Sequence, residues 1–131
     1  MSLRIALVDD HAPFRACVRQ LLAQHGFEVV AECDEGTQLL DALARTRPDV
    51  VVLDVSMPGM DGPQTARHLR AHHPGVRIVA LSMHDDPRVV AAMAAAGAQA
   101  YLRKDDALPD LPRVLHKLAA SGDEEGSPPL F

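Results

Sequence analysis

Two apolar runs of strand length dominate the chain, and both end in acid. Arg4-Ile-Ala-Leu-Val is followed by Asp9-Asp10, and Asp49-Val-Val-Val-Leu closes on Asp54. Runs this continuous, without polar alternation, suit strands covered on both faces, as in a parallel sheet between two layers of helices. If the two strands are neighbours, three carboxylates crowd one edge of the sheet. Mutual repulsion then lets all three stay ionised only with a hard divalent cation such as Mg²⁺ among them.

The rest of the chain alternates in the same manner. Strand-length apolar runs fall near residues 4–9, 27–33, 49–54, 76–81 and 99–103, and helical periodicity near 12–25, 36–46, 63–73, 86–96 and 109–120. Gly26, Pro48, Pro74-Gly75 and Gly97 punctuate the first four helices, and Asp85-Asp86-Pro87 opens the fourth. Five βα units imply a parallel sheet with right-handed crossovers. The runs at 4–9, 49–54 and 76–81 are the most apolar and belong in the middle. Phe27-Glu-Val-Val-Ala-Glu-Cys33 and Gln99-Ala-Tyr-Leu-Arg103 mix in polar residues and suit edges. This pattern predicts a flavodoxin-like (βα)5 doubly wound α/β fold with strand order 2-1-3-4-5, which places Asp10 beside Asp54. Pro109 and Pro112 predict that the regular part of the fifth helix begins nearer Asp110. Residues 1–120 form one domain in this reading, and the small, acidic, Pro/Gly-rich residues 121–131 a linker or tail.

Bulk properties narrow the function. A net charge of −5 and the absence of any block of Lys/Arg argue against nucleic-acid binding by this chain itself. No apolar stretch approaches the roughly 20 residues of a spanning helix, and no signal-peptide pattern opens the chain, so a cytoplasmic protein without membrane contact is expected. Cys17 and Cys33 lack metal-like spacing and read as buried, reduced thiols. His72-His73 reads as a solvated helix end, since adjacent residues on a helix face different ways.

Four strands therefore end in a reactive side chain: Asp9-Asp10, Asp54, Ser82 and Lys104. With Asp54-Val-Ser-Met-Pro-Gly-Met-Asp-Gly62, Leu81-Ser82 and Tyr101-Leu-Arg-Lys104, over roughly residues 3–120, the chain resembles the receiver domain of two-component response regulators. Asp-Asp-His at 9–11 and Ser-Met-His at 82–84 are most similar to the subgroup with C-terminal helix-turn-helix (LuxR/NarL-type) output domains.

The resemblance implies roles. Asp54 would be the nucleophile taking a phosphoryl group from a sensor histidine kinase. Asp9, Asp10 and Asp54, with the backbone carbonyl of Ser56, would hold Mg²⁺. Lys104 and Ser82 would contact phosphoryl oxygens, and Tyr101 would turn toward Ser82, coupling the site to the surface of helix four, strand five and helix five. That face would also serve a homodimer. Ala91-Ala-Met-Ala-Ala-Ala96 on helix four suits either docking or plain helix propensity. DNA would be reached only through a C-terminal domain of a longer protein, which the linker-like end favours.

Departures and alternatives remain. Asp105 follows Lys104 where many receivers carry proline, which leaves the geometry of that peptide bond open. Met83 and His84 are bulky and are expected to limit water access and tune the lifetime of phospho-Asp54. The alternatives are a Mg²⁺-dependent phosphohydrolase with an aspartyl-phosphate intermediate and a phosphorylation-independent contact domain. Hydrolases resembling the haloacid dehalogenase family want an acid two residues after the nucleophile, where this chain has Ser56. Contact-only domains usually lack part of the set Asp9, Asp10, Asp54, Ser82 and Lys104.

Overall fold

The computed structural model describes residues 3–121, and the acidic tail beyond Ser121 lies outside the described residues. Five strands, β1 (Arg4–Val8), β2 (Glu28–Cys33), β3 (Val50–Asp54), β4 (Arg77–Ser82) and β5 (Ala100–Arg103), alternate with five helices. These are α1 (Ala12–Gln24), α2 (Gly36–Thr46), α3 (Gly62–His72), α4 (Pro87–Ala95) and α5 (Lys104–Ser121). All strand pairs are parallel, in the order β2-β1-β3-β4-β5. The flavodoxin-like order expected from strand polarity is the one observed. Every residue of β3 is buried, whereas β2 keeps exposed and half-buried positions, as an edge strand should.

Strand alternation divides the core in two. Ala6, Val8, Val51, Leu53, Ile78 and Ala80 face one side, where Leu39, Leu43, Leu69 and Met93 of α2, α3 and α4 pack on them. Ile5, Leu7, Val50, Val52, Val79 and Leu81 face the other, under Val18 and Leu22 of α1 and Leu111 and Leu115 of α5. Residues two apart on a strand share a face, so each central strand contributes to both cores. Side chains that end these strands therefore project from a rigid, two-sided platform.

Helix starts follow local chemistry. The Asp61 carboxylate accepts the Gln64 N–H at 2.9 Å to cap α3, and Asp86 accepts the Arg88 N–H at 2.9 Å to cap α4 ahead of Pro87. That backbone hydrogen bond holds the Asp86 carboxyl below its usual range, with the Arg88 side chain assisting.

Two expectations are corrected. Helix α5 begins at Lys104, directly after β5, and runs through Pro109 and Pro112. Proline removes one backbone donor each time, but Ala107, Leu111, Val114, Leu115 and Leu118 form one buried stripe at helical spacing, and their burial outweighs the lost bonds. Residues Asp105 and Leu108, whose carbonyls lose those donors, are exposed to water. The second correction concerns the thiols: Cys33 is buried, but Cys17 is exposed. On α1 the apolar face runs through Val18 and Leu22, and Cys17 lies about 100° away from Val18 around the helix. Burial raises the Cys33 thiol pKa above its ordinary value.

Candidate functional site

Among the described residues, the buried polar or charged residues are Asp9, Asp54 and Ser82. All three stand at the carboxyl edge of the sheet. Asp54 is the last residue of β3, Asp9 follows β1, and the register Val8↔Leu53 sets their strands side by side. The parallel order thus joins acids that are far apart in the chain.

Carboxylate oxygens of Asp9, Asp10 and Asp54 all lie within 4.8 Å of one another, with Asp10 exposed and the other two buried. Lys104 enters from the first turn of α5. Its Nζ stands 2.8 Å from Asp9 Oδ2 and 3.0 Å from Asp54 Oδ2, with only 9% of the side chain exposed. Burial works against its charge, but the hydrogen bonds to Asp9 and Asp54 outweigh that penalty and raise its pKa above the ordinary lysine value. The ring of Phe14, on α1, packs on the other side of this ammonium, 4.7 Å from Nζ to the ring centroid.

Each buried carboxylate is held at both oxygens. Asp54 Oδ1 accepts the Ser56 N–H at 2.8 Å and the Ser56 hydroxyl at 2.6 Å, while Oδ2 faces Lys104. Asp9 Oδ1 accepts the His11 N–H at 2.8 Å; its Oδ2 is buried and, the Lys104 ammonium aside, has no hydrogen-bond partner. Oxygen-rich, anionic and only partly satisfied, this group fits a hard cation of the Mg²⁺ kind, which binds through a few carboxylates and keeps some of its water.

Ser82 ends β4 one residue beyond the pair Asp54↔Leu81. Its hydroxyl oxygen accepts the His84 N–H at 3.1 Å, and the His84 carbonyl accepts the Tyr101 hydroxyl at 3.2 Å. A chain of contacts therefore runs from the end of β4 through His84 to β5. Met83 points outward, 56% exposed. The Lys104–Asp105 bond is trans, since no peptide bond among the described residues is cis.

The acids, Ser82 and Lys104 singled out in the sequence meet at one edge, and Tyr101 connects to it through His84. Sequence reasoning missed three contributors: the Ser56 side chain, considered only for its carbonyl, Phe14, and Arg15, whose guanidinium donates to the Asp9 backbone carbonyl. Only their closeness in the chain to Asp10 and Asp54 hinted at them, Phe14 and Arg15 in the first turn of α1 and Ser56 in the turn after β3. His72 packs its ring against His68, at 4.4 Å between centroids, one turn back on the exposed side of α3.

Comparison with known proteins matches the response regulator receiver domain family over residues 5–116. The transcriptional regulatory protein DegU of Brevibacillus brevis is 35% identical over 118 residues, covering 87% of this chain and 50% of that protein. NarL of Mycobacterium tuberculosis (strain CDC 1551 / Oshkosh), a transcriptional regulatory protein by name, is 34% identical over 123 residues, covering 93% and 57%. A two-component response regulator of the LuxR family from Aurantimonas sp. SI85-9A1 superposes with a TM-score of 0.85 at 31% identity, covering 93% of this chain and 88% of that one. The chain spans about half the length of the curated relatives it matches. No helix among the described residues is long and apolar enough to cross a membrane.

Proposed function

Because this chain belongs to the response regulator receiver domain family, in its NarL and LuxR-type branch, we propose that it is a phosphorylation switch whose acceptor is Asp54. The single observation that carries this reading is the Lys104 ammonium bridging Asp9 and Asp54 within an acid cluster of three.

A carboxylate oxygen of Asp54 attacks the phosphorus of a phosphohistidine on a sensor histidine kinase. An O–P bond forms, the N–P bond breaks, and its electron pair returns to the imidazole. Asp9, Asp10, Asp54 and the Ser56 carbonyl would hold Mg²⁺, which supplies neutralising charge for the phosphoryl oxygens. Ser56 orients the acceptor carboxylate through Oδ1. Lys104 shifts its contact from the acids to a phosphoryl oxygen as the Asp54 carboxylate becomes an acyl phosphate.

The Ser82 hydroxyl accepts from His84 and still has its own proton to donate. Donating it to the phosphoryl group draws the loop after β4 inward, and the His84 carbonyl that holds Tyr101 moves with it. Tyr101 then turns toward Ser82 and the surface of α4, β5 and α5 changes. The size of this shift is limited by the phosphoryl group's preference for the active arrangement. Homodimerisation through that face, and control of transcription through a DNA-binding domain in a longer cytoplasmic protein, complete the proposal. The hydrolase alternative is weakened by Ser56, which stands where such an enzyme needs a general acid and whose hydroxyl is engaged by Asp54.

Incubation with Mg²⁺ and acetyl phosphate followed by intact-protein mass measurement tests this. A gain of one phosphoryl group, lost in Asp54→Asn, is expected. Continuous release of phosphate from monoesters would favour the hydrolase, and no labelling at all would favour a contact-only domain.

A further inference from the structure

Asp9 is tied down at four atoms, all by residues outside the acid cluster, and one of these ties comes from an arginine of α1. Its N–H donates to the Cys33 carbonyl on β2 at 2.9 Å, its Oδ1 accepts from His11, its Oδ2 faces Lys104, and its backbone carbonyl accepts from Arg15 Nη1 at 2.5 Å. Arg15 lies in the first turns of α1, its side chain only 19% exposed. Its Nε donates to Glu32 Oε1 at 3.2 Å, and Glu32 Oε2 takes Arg19 Nη1 at 3.0 Å. Glu32 therefore serves two arginines, one directed at Asp9 and one not.

We infer that Arg15, braced by Glu32, is a positioning residue that sets the affinity of the acid cluster for its divalent cation by fixing the loop that carries Asp9 and Asp10. A planar guanidinium can grip a carbonyl and a carboxylate at once, whereas a lysine ammonium holds its direction less firmly. With the carbonyl of Asp9 held by α1 and its amide by β2, the carboxylate has little freedom to swing away from Asp54. The inference rests on the Mg²⁺ reading above.

Charge and geometry make opposite predictions, which makes the idea testable. Arg15 is a cation near a cation site, so a purely electrostatic role would make Arg15→Met bind Mg²⁺ more tightly. A positioning role makes it bind about tenfold more weakly, the scale on which outer contacts tune metal sites. Mg²⁺ titration by calorimetry, alongside amide NMR shifts of Asp10 and His11, measures both. Expected are a tenfold loss with displaced amide signals in Arg15→Met, a smaller loss in Glu32→Gln, partial rescue in Arg15→Lys, and no change in Arg19→Met. Circular dichroism of each variant verifies folding, and Glu32→Gln carries the test if Arg15→Met does not fold. Unchanged or tighter binding in folded Arg15→Met, or in Glu32→Gln if Arg15→Met does not fold, would overturn the inference. Failure of the wild-type protein to bind Mg²⁺ would instead sink the metal reading on which it stands.

Discussion

Lys104 and Asp54 are 3.0 Å apart, and the same ammonium reaches Asp9 at 2.8 Å, so a single lysine balances two buried carboxylates.

Replacing Lys104 by Met is expected to destabilise the metal-free protein by about 3 kcal/mol, the scale for breaking a buried ion pair. The pH dependence has a definite sign. The folded-state pKa of Lys104 is raised, so its contribution is complete below the ordinary lysine value of about 10.4 and is lost as pH rises through the folded value. Thermal melts from pH 8 to 12 in wild type and Lys104→Met should keep a constant gap up to about pH 10.4 and narrow only above it. A gap that narrows already below pH 10 would contradict the assignment.

Ser56→Ala removes the 2.6 Å hydroxyl bond to Asp54 Oδ1 and keeps the backbone N–H bond. A stability loss of about 1–2 kcal/mol is expected in chemical denaturation, since the acceptor is charged and buried. The rate of labelling by acetyl phosphate should fall as the carboxylate loses its orientation.

Met83→Ala and His84→Ala are expected to shorten the life of phospho-Asp54 several-fold by admitting water beside Ser82. Loss of phosphoryl from the labelled protein, followed by mass, measures this. A lifetime equal to wild type in both would remove these side chains from the account.

Gly97 closes α4 with φ of +101°, and a Cβ there would meet Arg70 Cγ at 2.7 Å. The arginine can move aside, but the backbone strain stays, so Gly97→Ala should cost about 1–3 kcal/mol. Denaturant midpoints with an unchanged slope would show the loss to be one of stability alone.

How much of this was legible in advance differs by element. The sheet order could be read because unbroken apolar runs at 4–9, 49–54 and 76–81 can be stable only between two layers, which forces the polar runs to the edges. Helix α5 misled because proline statistics describe a local backbone cost, while Leu111 and Leu115 gain from a core that local sequence does not display. Glu32 looked like an ordinary edge-strand acid, yet it is the counter-ion of Arg15 and Arg19, a pairing formed only when α1 lies against β2. Cys17 and Phe14 sit on the same helix, one in water and one against Lys104.

Periodicity and residue type, which act along the chain, determined the layers, the order of the strands and which side chains would end them. Distances and partners were decided by packing in three dimensions. That the Lys104 ammonium bridges Asp9 and Asp54, that Ser56 holds Oδ1 of Asp54, and that Arg15 grips Asp9 all depend on how helices and turns settle at the edge of the sheet, where Coulomb and hydrogen-bond energies change steeply over an ångström.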